Sequence, residues 1–177
     1  TVGEVIKAIE ASGEADNTLV IYTSDNGSYM YRYDDPDKED HVDKETIQGF
    51  RANNHRANGP WRGTKADIYE AGHHVPFFVR WPGHVEAGAV QAGTVVLTDI
   101  FATIAEIVGY EISENEAEDS VSMTKMLDGS CADRGVPVVH HSVGGMFAIR
   151  EGRWKLILGN GSGGREQPRG RPFQEPY

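Results

Sequence analysis

The chain has 177 residues and a formal net charge of −10, with 38% apolar and 25% charged residues. This length and composition are typical of a globular protein with a hydrophobic core. The acidic balance disfavours a general nucleic-acid binder, because such proteins carry a basic surface. No segment is apolar over a bilayer's thickness, so we expect no membrane span. The single cysteine, Cys131, excludes an internal disulfide bond.

The N-terminal third predicts a helix, a buried strand and a long polar loop. Apolar residues recur at helical spacing from Val2 to Ile9, and Ser12-Gly13 is a typical helix end. Residues 18–23 predict a parallel-type strand, interpreted as half of a βαβ unit whose first strand is missing. Residues 28–60 are polar and acidic and predict a loop that is either functional or simply solvated.

The remainder predicts an alternation of strands and helices. A helix at 98–109 has Ile100, Phe101 and Ile104 on its apolar side and Gly109 as its end. The other predicted elements are a buried strand at 75–81, a short edge strand at 92–97, a helical turn at 122–127, an apolar run at 136–140 and a β-hairpin formed by 146–150 and 154–158. The tail from Gly159 has no periodicity.

Two polar motifs carry the chemistry. Asp25 and Asn26 directly follow a predicted strand, at the edge where α/β sheets place their active sites. Their carboxylate and amide oxygens are ligands that suit a hard divalent cation. The basic segment Arg62-Gly63-Thr64-Lys65 follows further along the chain and, with the oxygen ligands, predicts a metal-assisted site for an anionic ester. Taken singly, Asp25-Asn26 also suits an ordinary turn, and Lys65 a solvated surface position.

Several stretches resemble, in the same order, the formylglycine-dependent (type I) sulfatases, which are arylsulfatase-like members of the alkaline-phosphatase superfamily. These stretches are 19–27, 58–76, 80–83, 98–109 and 148–157. The resemblance implies an α/β fold that is part of a large mixed β-sheet sandwiched by helices, with the start of a small antiparallel C-terminal subdomain. It further implies that residues 1–136 are the C-terminal part of the catalytic domain and that 137–177 begin the small subdomain.

The resemblance also assigns site residues. It implies that Asp25 and Asn26 bind the active-site divalent cation, usually calcium in this family, and that Lys65 is a catalytic residue contacting the sulfate ester. A lysine there binds sulfate and offsets negative charge that develops on the leaving oxygen. The further candidates for substrate binding are Arg62, His73, His55 and His141, with His140 beside them. Bracing of the loop is the alternative for Arg62, and hydrogen bonding to backbone is the alternative for the histidines.

Some parts of the family's machinery have no counterpart in this sequence. The family's formylglycine is made from Cys or Ser in a Cys/Ser-x-Pro-x-Arg motif, which the segment at Cys131 does not match. The first pair of metal-binding aspartates and the upstream Lys and His residues are also without counterparts. Ala71 and His74 stand where many members have Gly and Arg. We therefore expect formylglycine in a missing N-terminal part, and we expect the chain alone to be inactive.

The resulting hypothesis is that the chain is part of a metal-assisted sulfatase. This enzyme would hydrolyse sulfate monoesters of a small molecule or glycan, and a sulfated carbohydrate is the favoured substrate. One alternative is a phosphate- or phosphonate-ester hydrolase of the same superfamily. The single Asp-Asn pair followed by Lys favours the sulfatase, because the phosphoesterases commonly use two metals. Two further hypotheses are an inactive relative that binds sulfated glycans and a truncated product without a stable fold. Family expectation places the parent protein outside the cytoplasm, in the periplasm, lysosome or medium.

Overall fold

A computed structural model of the chain describes residues 1–29 and 57–173. It divides into two compact units, which we call unit 1 (residues 1–23 and 77–136) and unit 2 (residues 24–76 and 137–177). Most of the predicted loop at 28–60, including the candidate His55, lies outside the described residues. No helix within the described ranges is long and apolar enough to cross a membrane.

The described elements agree with most of those predicted. The helices are α1 (Val2–Ser12), α2 (Glu70–His73), α3 (Asp99–Val108) and α4 (Thr124–Leu127), with a short 3-10 helix at Ala15–Asn17. The strands are β1 (Val20–Thr23), β2 (Phe77–Arg80), β3 (Val138–His141), β4 (Phe147–Glu151), β5 (Trp154–Ile157), β6 (Gly159–Asn160) and β7 (Arg171–Pro172). All strand pairs among them are antiparallel, β1 with β2, β3 with β4, β4 with β5, and β6 with β7. A parallel partner for β1 stays a prediction.

Unit 1 is organised around α3, which buries the side opposite to the predicted one. Ala102, Thr103 and Ala105 are buried, whereas Phe101 is 53% exposed and Val108 69%. The reason is the close approach of a neighbouring segment, in which the Met123 N–H donates to the Thr103 hydroxyl at 3.0 Å. Only small side chains leave room for such an approach. The helix itself and its left-handed end at Gly109 are as predicted.

The edge strand predicted at 92–97 is wrong. Gln91 organises this segment instead, since its amide donates to the Cys131 carbonyl at 3.0 Å and its carbonyl accepts from Gly93 N–H at 3.1 Å. A Cβ at Gly93 would lie 2.3 Å from the Ala132 carbonyl oxygen, so two backbone segments meet here. The backbone is therefore held by a side chain and a close contact, which a propensity for strand does not reveal.

Unit 2 contains the predicted hairpin, now seen as β4 and β5, with β3 added at the edge. Its core is formed by Ile68, Met146 and Ala148, against which Tyr69 and Ile157 are packed. Residues 24–76 therefore share a unit with the C-terminal strands. The prediction of separate domains, 1–136 and 137–177, stays a prediction.

Candidate functional site

The loop that carries Asp25 and Asn26 lies against the backbone of α2. Gly27 N–H donates to the Gly72 carbonyl at 3.0 Å, and a Cβ at Gly27 would lie only 1.5 Å from the Ala71 carbonyl oxygen. Glycine is therefore required for this contact. The Asn26 side-chain amide donates to the Gly27 carbonyl at 3.2 Å, which leaves its oxygen as an acceptor. The Asp25 side chain is exposed.

Ser28 joins this loop to the segment that carries Lys65. Its carbonyl accepts from the Lys65 N–H at 3.0 Å and from the Thr64 hydroxyl at 2.7 Å. The Asn58 side chain closes the junction, because its oxygen accepts from Ser28 N–H at 2.8 Å and its amide donates to the Ser28 carbonyl at 3.1 Å. The two predicted motifs are thus neighbours in unit 2, and the Lys65 side chain is exposed to solvent.

The described contacts of Arg62 fit its bracing alternative. Its Nε lies 3.4 Å from a carboxylate oxygen of Glu166, and its guanidinium lies 3.8 Å from the centre of the Tyr69 ring. The side chain remains 59% exposed. Its charge is therefore partly compensated by Glu166 before any substrate arrives, and its planar group is oriented by the tyrosine.

The histidine candidates are distributed over α2 and β3. The rings of His73 and His140 meet edge to face with their centres 4.5 Å apart. His141 points to the other face of β3, where its Nδ1 lies 2.8 Å from the Ser142 carbonyl oxygen and its ring contacts Phe147. The structure therefore pairs His73 with His140, and it gives His141 a backbone partner. The position of His55 lies outside the described residues.

An ion-pair network beside these rings was not predicted from the sequence. Glu70 forms an ion pair with Arg150 and with Lys155, whose Nζ lies 3.1 Å from the carboxylate. Burial alone would raise the pKa of Glu70, but the hydrogen bonds from Arg150 and Lys155 outweigh it and lower that pKa. Arg150 and Lys155 are cross-strand partners in the hairpin, so they reach the same face. This cross-strand register of the predicted hairpin was the one signal in the sequence that could have indicated the network.

The two paired histidines are kept neutral. Burial lowers the pKa of His140 to about 4, and the charge of Lys155 adds to this effect. Burial and the same lysine also lower the pKa of His73. Among the described residues, the Nε2 of His140 is buried without a hydrogen-bond partner. At neutral pH these rings therefore offer uncharged donors and acceptors.

This electrostatic arrangement predicts an acid-sensitive unit 2. Because the folded-state pKa of His140 lies near 4 and its ordinary value is 6.5, the unfolded chain binds the proton first as the pH falls. The free energy of unfolding should therefore decrease between pH 6.5 and about 4 and be unaffected by His140 above that window. Urea unfolding at a series of pH values measures this free energy of unfolding. His140→Gln should flatten the curve, whereas a wild-type curve without slope from pH 6.5 to about 4 would contradict the prediction.

The donor set at the loop fits part of a hard-cation site. Asp25 offers a carboxylate and Asn26 an amide oxygen, and both atom types suit calcium or magnesium. Calcium takes about six to eight oxygen ligands, so these two side chains supply only a portion of a shell. Within residues 1–29 and 57–173, no group of three or more His, Cys, Asp or Glu is placed to hold a metal ion.

Comparisons with known proteins give sulfatases as relatives of the chain. A family model described as Sulfatase matches residues 1–110. The chain is 33% identical, over 89% of its length, to 29% of the N-acetylgalactosamine-6-O-sulfatase of Bacteroides thetaiotaomicron. It is 34% identical, over 72% of its length, to 18% of the steryl-sulfatase of Mus musculus. The chain thus spans less than a third of the length of these relatives.

A solved structure gives the same result for the fold. It is described as part of the metabolism of multiple glycosaminoglycans by Bacteroides thetaiotaomicron, and it superposes with a TM-score of 0.74 at 31% identity. The match covers 88% of this chain and 30% of that one. The predicted α/β fold of the alkaline-phosphatase-like type is therefore confirmed. Together with the matching family model, these similarities show that the chain belongs to the sulfatase family.

Proposed function

We propose that the chain is part of a sulfatase that hydrolyses sulfate monoesters, with the formylglycine nucleophile outside this chain. The observation that carries the proposal is the junction at Ser28, which joins the Asp25-Asn26 loop to the Lys65 segment. A divalent cation held by this pair of oxygen ligands, together with an exposed ammonium group, would bind a sulfate ester from two sides. Membership of the sulfatase family supports the same chemistry.

Within this proposal each residue has a distinct task. Lys65 binds a sulfate oxygen and stabilises the negative charge that develops on the leaving oxygen as the S–O bond breaks. Asp25 and Asn26 would hold a divalent cation, proposed to be calcium, which when bound polarises the sulfate oxygens. His73 faces the partly buried His140 and contributes a neutral imidazole for hydrogen bonding to the substrate. Arg62, braced by Glu166, limits the loop's movement.

The substrate is proposed to be a sulfated carbohydrate. Support comes from the relative named as an N-acetylgalactosamine-6-O-sulfatase, which has 33% identity to this chain. The relative named as a steryl-sulfatase makes a steroid sulfate the competing substrate class. The proposal includes a location outside the cytoplasm, which rests on the expectation for the family. It includes no nucleic-acid partner, in agreement with the net charge of −10.

The test uses the protein encoded by the complete reading frame that contains this sequence. Sulfate release is measured by ion chromatography from N-acetylgalactosamine 6-sulfate, a steroid sulfate and an aryl sulfate, before and after treatment with a chelator. We expect sulfate from the sugar ester and a loss of turnover on chelation. The 177-residue chain by itself is expected to release none.

Three results would count against the proposal. Faster release of phosphate from a matched phosphate ester would favour a phosphoesterase. Binding of the sulfated sugar without turnover would favour an inactive glycan-binding relative. Turnover by the 177-residue chain alone would contradict a nucleophile that lies outside it.

A further inference from the structure

Lys65 lies in a turn whose backbone is under strain. The turn spans Thr64 to Asp67 and is closed by a hydrogen bond from the Asp67 N–H to the Thr64 carbonyl at 3.1 Å. Its third residue, Ala66, has a φ of +85°, a value that turns normally reserve for glycine. A side chain in this region of φ is unfavourable and persists only where the surroundings impose it. Strain directly beside Lys65 therefore indicates a constraint on its direction.

The Asp67 carboxylate supplies part of this constraint. Its side chain is fully buried, and one oxygen accepts from the Thr64 N–H at 2.9 Å, across the turn. The other oxygen accepts from the backbone N–H groups of Arg165 and, at 3.2 Å, of Glu166. Hydrogen bonds to an ionised carboxylate are roughly twice as strong as neutral ones. One side chain thus ties the Lys65 turn to a segment 98 residues further along the chain.

Further backbone contacts connect the turn to distant parts of the chain. Ile68 N–H donates to the Ser162 carbonyl at 2.8 Å, and Val143 N–H donates to the Ala66 carbonyl at 3.0 Å. A Cβ at Gly164 would lie 2.4 Å from both the Ala66 carbonyl oxygen and the Asp67 carboxylate. The strained turn is therefore held by Val143 and by the loop at 162–166, a segment in which the sequence shows no motif.

We propose that Asp67 is a positioning residue for Lys65. Its carboxylate holds the turn in the strained conformation. Through its hydrogen bonds to Arg165 and Glu166, the loop at 162–166 also helps to orient the Lys65 ammonium group toward the sulfate ester. The role is indirect, since the carboxylate is buried and occupied by backbone donors. This inference rests on the proposed function, in which Lys65 contacts the ester.

A double-mutant cycle tests the proposal in the enzyme from the complete reading frame. Asp67→Asn keeps the shape but removes one acceptor, and we expect it to lower kcat/KM for a sulfate ester by about 10- to 100-fold. If Asp67 acts through Lys65, the same change in a Lys65→Ala background should cost less than about threefold, because the interaction it supports is gone. Asp99→Asn, which alters a fully buried carboxylate in unit 1, is the matched control. It should cost the same in both backgrounds.

Two further variants reach the same contact from other residues, in case Asp67→Asn folds poorly. Gly164→Ala inserts a methyl group against the Asp67 carboxylate, and Ala66→Gly removes the strain while leaving Asp67 in place. Gly164→Ala should lower kcat/KM in the wild-type background and have little effect after Lys65→Ala. Asp67→Asn should cost less in an Ala66→Gly background, because glycine adopts this φ without strain and the turn then depends less on the carboxylate.

The outcomes distinguish this inference from the proposed function. No sulfate release by the wild type refutes the proposed function, and amide hydrogen exchange on the same protein then tests the hydrogen bonds of Asp67 alone. Asp67→Asn should speed exchange at Thr64, Arg165 and Glu166 by about tenfold or more, and Asp99→Asn should not. With an active wild type, equal losses from Asp67→Asn in both backgrounds, or no loss from Lys65→Ala, would overturn the positioning role while the sulfatase assignment stands.

Discussion

Lys65→Ala is expected to lower kcat/KM for sulfate monoesters by about 10²- to 10³-fold in the enzyme from the complete reading frame. The ammonium group supplies a positive charge where negative charge develops on the leaving oxygen, and no other residue of the Thr64–Asp67 turn carries one. A loss mainly in kcat would indicate stabilisation of the transition state, whereas a loss confined to KM would indicate uniform binding. Steady-state kinetics with esters of good and poor leaving groups measures both.

Two variants act as controls for this result. Lys65→Arg keeps the positive charge but replaces the compact ammonium group by a planar guanidinium group. We therefore expect its kcat/KM to lie between those of Lys65→Ala and the wild type. Lys125→Ala removes an exposed lysine of unit 1 and should leave kcat/KM unchanged. If kcat/KM of the Lys65→Ala enzyme lies within about threefold of the wild-type value, Lys65 is not a catalytic residue. The main chemical argument for the site would then be lost.

Asp99→Ala should lower the free energy of unfolding by about 3–5 kcal/mol. The Asp99 side chain is fully buried, and one oxygen accepts from the Arg134 guanidinium at 2.8 Å and from Val121 N–H at 2.9 Å. The other oxygen accepts from Val96 N–H at 3.1 Å. Its removal leaves a nearly buried guanidinium without its carboxylate and two backbone donors without these acceptors. The cost of such groups exceeds the net value of the ion pair itself.

Urea denaturation of the 177-residue chain, monitored by circular dichroism, measures this change. The matched control is Asp128→Ala, because Asp128 is an exposed carboxylate of the same unit that accepts from the neighbouring Ser130 N–H at 2.8 Å. That control should leave the urea midpoint nearly unchanged, since solvent replaces an exposed acceptor. If Asp99→Ala shifts the midpoint no more than Asp128→Ala does, the Asp99–Arg134 pair is not a central support of unit 1.

Local signals in the sequence predicted most elements of secondary structure. The helices end at Gly13 and Gly109, which have left-handed backbone conformations, and the turn at Gly152-Arg153 joins the strands of the predicted hairpin. These signals depend on residues close in sequence, so they can be found without the fold. The segment at 92–97 misled the same reasoning, because Gln91 satisfies its backbone instead of a neighbouring strand.

Which faces are buried was harder to predict than which elements form. The large apolar side chains of α3 suggested a core face, but the buried face is the one with Ala102, Thr103 and Ala105. Periodicity shows that two faces differ, while the partner that approaches decides which is covered. In this unit the partner is the segment at Met123, whose backbone bonds directly to Thr103.

The amino-acid sequence predicted the family, the order of most elements and the two motifs with Asp25-Asn26 and Lys65. The tertiary structure alone decided that Ser28 joins those motifs, that Glu70 is paired with Lys155, and that Asp67 binds the loop at 162–166. The physical reason is separation along the chain. Glu70 and Lys155 are 85 residues apart and Asp67 and Arg165 are 98 apart, and patterns of period two or 3.6 encode only near neighbours.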